Sequence, residues 1–152
     1  MAPSETNSIE LEEFLHSRIP LTRAMGVRVV LRPGGDLSVE APVALNYNHL
    51  QTAFGGSINA VATLAAYGFL WLEVRGSPVE VVVAESRIRF LRPVREQISA
   101  VCSAPGAEEL KRFHDDLATK GKSRIQLTVT VEENGRTAAE FSGEFVALRS
   151  PA

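Results

Sequence analysis

The chain has 152 residues, 45% of them hydrophobic and 22% charged, with a formal net charge of −2. That length suits one domain, the apolar share is enough for a packed core, and the near-neutral balance gives no electrostatic reason to expect nucleic acid as a partner. A single cysteine, Cys102, excludes an internal disulfide framework and a cysteine-rich metal site.

Cys102 falls in an alternating run, where a half-buried strand residue is a simpler account than a catalytic thiol. Residues 1–8 read as a disordered polar tail without the apolar core of a signal peptide. The apolar stretch Ile58 to Leu72 is interrupted by Asn59, Thr63, Tyr67 and Gly68, too short and too polar for a membrane span. A soluble cytoplasmic protein is the expectation, with one domain over residues 9–149.

Ser8 is placed to cap a short helix carrying Leu11, Phe14 and Leu15 on one face, limited by Pro20. Val27 to Val43 reads as a hairpin turning at Pro33-Gly34-Gly35. A connector over residues 44–57 leads into the strongest helix of the chain, Gly56 to Val74, which is apolar on nearly every face and so must be buried on nearly every face. Four strand-like runs follow: Val79 to Arg92, Gln97 to Ser103, an alternating run from Ile125 to Glu132, and Thr137 to Leu148 beyond an Asn134-Gly135 hairpin signal. Ala107 to Ala118 lies among them as a surface helix or ordered loop.

Helices that do not alternate with strands argue against a doubly wound parallel sheet. One antiparallel sheet of about six strands around one apolar helix, an α+β arrangement, meets the burial needs of both elements. It leaves an open sheet edge, for which the long Val79–Arg92 strand is the candidate, and edge-to-edge dimerisation would cover it.

The connector carries the chemistry. Gly55 and Gly56 open the helix, where the first N–H groups lack intrahelical partners and a carbonyl oxygen or oxyanion is welcome. The same glycines also suit a tight turn with close helix–strand packing. Just before them, Asn46, Asn48 and His49 are able to orient and activate water, or to serve as ordinary turn residues. On the helix, Asn59, Thr63 and Tyr67 recur at i, i+4 and i+8 as one polar stripe. This stripe either lines a site or is satisfied locally, Thr63 by bonding back to a helix carbonyl. In Glu85-Ser86-Arg87-Ile88-Arg89-Phe90-Leu91-Arg92-Pro93, Arg87 and Arg89 share a face opposite Ile88 and Phe90, and basic groups there suit phosphates or simply water. The three histidines have no metal-ligand spacing, so neither metal nor other cofactor is expected.

The strings Asn46-Tyr47-Asn48-His49, Thr52-Ala53-Phe54-Gly55-Gly56-Ser57 and Arg89-Phe90-Leu91-Arg92-Pro93, with Ile19-Pro20-Leu21-Thr22 and Met25-Gly26-Val27, resemble the hotdog-fold putative thioesterases of the YiiD C-terminal domain family over roughly residues 9–149. The resemblance implies a central helix wrapped by an antiparallel sheet, a homodimer as the minimal unit, sites at the dimer interface, and a CoA thioester as ligand; whether such dimers pair into a homotetramer is left open. Better-known hotdog thioesterases open the helix with His-Gly-Gly and carry an acid about two turns later; here Phe54 and Thr63 fall at those places. The expected function is therefore hydrolysis of an acyl-CoA or carrier-protein thioester. Gly55 or Gly56 would hold the carbonyl, Asn46, Asn48 and His49 would position and activate water, and Thr63 would orient it. Arg89 and Arg92 would hold phosphates. Thr52, Phe54, Ser57, Asn59, Tyr67 and Glu85 complete the expected binding residues, with Glu85 of a second copy as the other candidate base. The missing helix acid leaves a non-catalytic acyl-CoA binding or sensing module as the rival.

Overall fold

Six strands form one antiparallel sheet in the order β1-β2-β4-β5-β6-β3, in a computed structural model that describes residues 4–34 and 36–151. They are β1 (Arg28–Leu31), β2 (Leu37–Pro42), β3 (Val79–Phe90), β4 (Gln97–Ser103), β5 (Lys122–Glu133) and β6 (Arg136–Arg149). The helices are α1 (Glu5–Arg18), α2 (Leu21–Ala24), α3 (Gly55–Val74) and α4 (Ala107–Lys120). Residues 1–3 of the expected tail and Gly35 of the expected turn lie outside the described residues. Every strand pairing is antiparallel, and β3 stands at one edge of the sheet, as its length and pattern suggested.

The tail is shorter than expected. α1 begins at Glu5, with Ser4 rather than Ser8 as its cap: the Ser4 hydroxyl accepts from the Asn7 N–H. Ser8 lies inside the helix and donates to the Glu5 carbonyl at 2.8 Å. The reason is that Leu11 and Leu15 are fully buried, and the helix that carries them extends one turn further back.

α3 packs against β2, β3, β4, β5 and β6. Val61, Ala62, Ala66 and Leu70 are wholly buried beneath it, and each such Val or Leu contributes about 1.5–3 kcal/mol. The helix runs 20 residues, so by length and composition alone it is apolar enough to cross a membrane, more so than the shorter sequence reading allowed. Its apolar faces instead meet the sheet, and α1 crosses it where Leu11 lies against Gly68, whose Cβ would press on a Leu11 methyl at 2.9 Å. On β5, Ser123, Ile125, Leu127, Val129 and Val131 face inward and are buried. The β5–β6 turn has Asn134 and Gly135 both at positive φ, 53° and 73°, the requirement of the tight hairpin turn their sequence signals. α4 ends at Gly121 in the left-handed region, and Arg149 donates to the Leu117 and Ala118 carbonyls at its C-terminus.

Candidate functional site

The connector is built by hydrogen bonds that its own sequence supplies. Asn46 is buried and its amide donates to the Met25 and Pro42 carbonyls at 2.9 and 2.8 Å. Asn48 ties a small turn: its Oδ1 accepts from the Leu50 and Thr52 N–H groups, and its Nδ2 faces Thr52 Oγ1 and the Ala53 carbonyl. A bridge between Tyr47 and Ala53 closes the base of this turn, and Gln51 adopts φ 63° within it. Both asparagine amides are thus engaged by the protein itself. Asn46 through its Nδ2 and Asn48 through both ends of its amide satisfy groups that would otherwise be orphaned, which favours the turn-residue reading of both. Thr52 belongs to the same network. His49 is left exposed in the turn between Asn48 and Gln51, with no hydrogen bond among the described residues.

From Ala53 the chain enters α3. The Ala53 N–H donates to the Val94 carbonyl at 2.8 Å and the Phe54 N–H to the Asn46 carbonyl at 2.7 Å. Phe54 occupies the capping position, and no side chain caps the first turn. The N–H groups of Gly55, Gly56 and Ser57 therefore form the positive end of a 20-residue helix with a donor set open to a ligand. A Cβ on Gly56 would collide with the Phe54 ring, and one on Gly55 would touch the Phe90 ring at 3.4 Å. The glycines therefore let two aromatic rings lie close beside the open donors. Both rings are more than half exposed, as are Leu45, Tyr47 and Leu50 nearby in sequence. The Phe54 and Phe90 rings thus leave bare apolar surface beside the helix start, of the kind that suits a ligand.

The polar stripe on α3 divides. Tyr67 stacks on Phe14, with ring centroids 6.4 Å apart, and burial is the main cause raising its phenol above the usual range. That packing gives Tyr67 a structural role against α1. Thr63 Oγ1 donates back to the Asn59 carbonyl at 2.8 Å, so its hydroxyl proton is committed along the helix and cannot be given to water. Asn59 differs: its Oδ1 is buried and has no hydrogen-bond partner.

Strand β3 sorts the remaining candidates. A bulge between Val83 and Glu85 shifts the alternation. Beyond it Ile88 and Phe90 pair with the inward Phe141 and Ala139, while Glu85, Arg87 and Arg89 pair with Glu144, Ser142 and Glu140 on the outer face. Glu85 therefore faces away from its own chain's α3, as Arg87 and Arg89 do. Arg87 and Arg89 line a shallow outer depression of about 260 Å³ with Thr128, Thr130, Glu140 and Ser142. Arg92 is exposed beyond the strand end. Burial pushes the Cys102 thiol up to about 12, which leaves it a poor nucleophile. No group of three or more metal-binding side chains occurs among the described residues.

Sequence reasoning missed the support beneath the connector. The Glu133 carboxylate accepts from the Arg95, Glu96 and Gln97 N–H groups at 2.9–3.3 Å. That loop in turn receives the Ala53 N–H on Val94 and the Val43 N–H on Glu96. A lone glutamate at a strand end carries no sequence signal for this; the partners lie more than thirty residues away.

One antiparallel sheet wrapped around one long helix that opens on two glycines is the hotdog fold. The chain belongs to the YiiD C-terminal family, "Putative thioesterase (yiiD_Cterm)", which matches residues 8–149. A protein of unknown function from Chlorobaculum tepidum is similar at 31% identity, with 94% of each chain covered and a TM-score of 0.87. A putative thioesterase from Shewanella oneidensis is similar at 29% identity over 97% of this chain and 100% of that one, with a TM-score of 0.81. A Bacillus halodurans protein solved with CoA shares the fold at 20% identity over 96% and 91% of the two chains, with a TM-score of 0.69.

Proposed function

We propose that the chain hydrolyses acyl-CoA thioesters, with the thioester carbonyl seated on the N–H groups of the first α3 turn. The observation that carries this is the uncapped Gly55-Gly56-Ser57 start of α3, flanked by the exposed Phe54 and Phe90 rings. The donors polarise the carbonyl and stabilise the oxyanion, and the rings offer apolar surface to an acyl chain. Water attacks the carbonyl carbon and gives a proton to His49, the free imidazole on the connector. The C–S bond then breaks, and the departing CoA sulfur takes the proton from His49. Arg89 and Arg92 lie at the same end of β3 as Phe90, where CoA phosphates leaving the site meet them. A carrier-protein thioester would present the same reacting group.

The assembly we infer is a homodimer joined along β3, which places two helix starts beside one interface; two such dimers make a tetramer. Its support is the exposure of Val83, Ser86 and Phe90, inward-facing residues that a single chain leaves bare. Replacing His49 with alanine is expected to lower kcat on the best acyl-CoA by about 100-fold. An unchanged kcat in a thiol-release assay removes His49 from the mechanism. The second reading, an acyl-CoA binding module, is favoured by one feature: α3 carries no carboxylate before Glu73. Tight binding of acyl-CoA without thiol release above background selects it.

A further inference from the structure

A buried amide oxygen without a donor costs about 1–3 kcal/mol, so it marks a place where a donor is missing. Two side-chain atoms are in this state among the described residues, Asn59 Oδ1 and Ser123 Oγ. Ser123 lies at the start of β5, paired with Ala147. Asn59 lies on α3, four residues beyond Gly55 and three beyond Gly56. Side chains on a helix lean toward its N-terminus and cover the turn before their own Cα. By that rule the Asn59 amide leans toward the turn that carries the open N–H groups, where the Phe54 and Phe90 rings lie close to the two glycines. Thr63, one turn further on, is tied back to the Asn59 carbonyl.

We propose that Asn59 Oδ1 accepts a hydrogen bond from the attacking water and holds it beside the thioester carbonyl, an inference that rests on the hydrolase reading above. One water O–H donates to Oδ1, the other faces His49, and a lone pair points at the carbonyl carbon. A neutral amide does not take the proton; His49 receives it and returns it to the CoA sulfur as the C–S bond breaks. The helix-borne contact to water, expected at Thr63, thus moves one turn toward the glycines and from a hydroxyl to an amide oxygen.

Thiol release from a saturated acyl-CoA panel, acetyl to palmitoyl, tests this with the full-length protein. Asn59→Leu keeps the shape and removes the acceptor: kcat is expected to fall about 100-fold through loss of water positioning, with KM little changed. Its Tm is expected to hold or rise, because an unpaired buried polar atom is gone. Asn59→Asp is expected to retain turnover and add an ascending acid limb to the kcat–pH profile as the new carboxylate ionises. Thr63→Val is expected to keep kcat. A full kcat in Asn59→Leu, or an Asn59→Asp pH profile that matches the unsubstituted protein, overturns the role of Asn59 while the hydrolase reading stands. An unsubstituted protein that releases no thiol from any of the panel overturns both.

Discussion

The two edges of the sheet are handled in opposite ways. Strand β1 has four residues, and α1 lies along it. Glu12 Oε1 accepts the Val29 N–H at 2.8 Å, and His16 Nε2 meets the Val27 carbonyl at 2.7 Å. Strand β3 has twelve residues, and Val82 and Val83 on its two faces are 49% and 43% exposed. A short, capped edge cannot recruit another strand, whereas a long apolar edge with free N–H and C=O groups readily can. The side of the molecule that holds the glycine helix start and Phe90 is also the side left open, so edge and site belong to one surface.

Charging each edge in turn gives the sharpest test. Val83→Lys places an ammonium on the open edge, and we expect the dimer dissociation constant to rise at least about 100-fold, near 3 kcal/mol, with turnover falling in step. Light scattering behind size exclusion would report half the mass. Val30→Lys on β1 is expected to leave the mass unchanged. If both substitutions leave one mass at micromolar concentration, the difference between the edges has no role in assembly. A smaller effect is expected from Glu12→Ala, which strips the cap from β1. Loss of a charged acceptor on a backbone N–H costs about 1.5–3 kcal/mol, read as a lower urea midpoint, and the uncovered edge should make unfolding dependent on protein concentration.

The covered and open edges were not equally legible in the sequence. β3 announced itself by length and β-branched residues, and α3 by an apolar run with glycines ahead of it. These signals are local. The capping of β1 by Glu12 was invisible, because it joins residues of two elements through tertiary packing. The same holds at the site. Gly55 and Gly56 could be read directly as the opening of the buried helix, where they stand. Asn46, Asn48, Thr63 and Tyr67 could not, because sequence shows a polar group but not whether its partner is the protein or a ligand. Met25, the turn 50–53, the Asn59 carbonyl and Phe14 turned out to be those partners. Asn59 kept an oxygen unpaired on the same stripe, a distinction its residue type and spacing do not carry.

The last and smallest effect concerns the loop that seats the connector beside the open edge. Burial alone would raise the Glu133 carboxyl, but the Glu96, Arg95 and Gln97 N–H groups outweigh it and hold its pKa below the ordinary carboxylate range. A depressed folded pKa adds stability that is fully present above the ordinary value and lost as pH falls through the folded one. The protein should therefore lose about 1 kcal/mol, a figure reduced for partial exposure, between about pH 5 and the region below the ordinary carboxylate value. Glu133→Gln should remove that part of the pH dependence and show lower stability at neutral pH, measured by urea unfolding at each pH. Because Val94 and Glu96 in the same loop hold Ala53 and Val43, loosening it should displace the helix start before the sheet unfolds. Turnover of Glu133→Gln should then decline at a lower temperature than its circular dichroism. Coincident losses would mean that the loop and the sheet unfold as one unit, and that the site has no separate support.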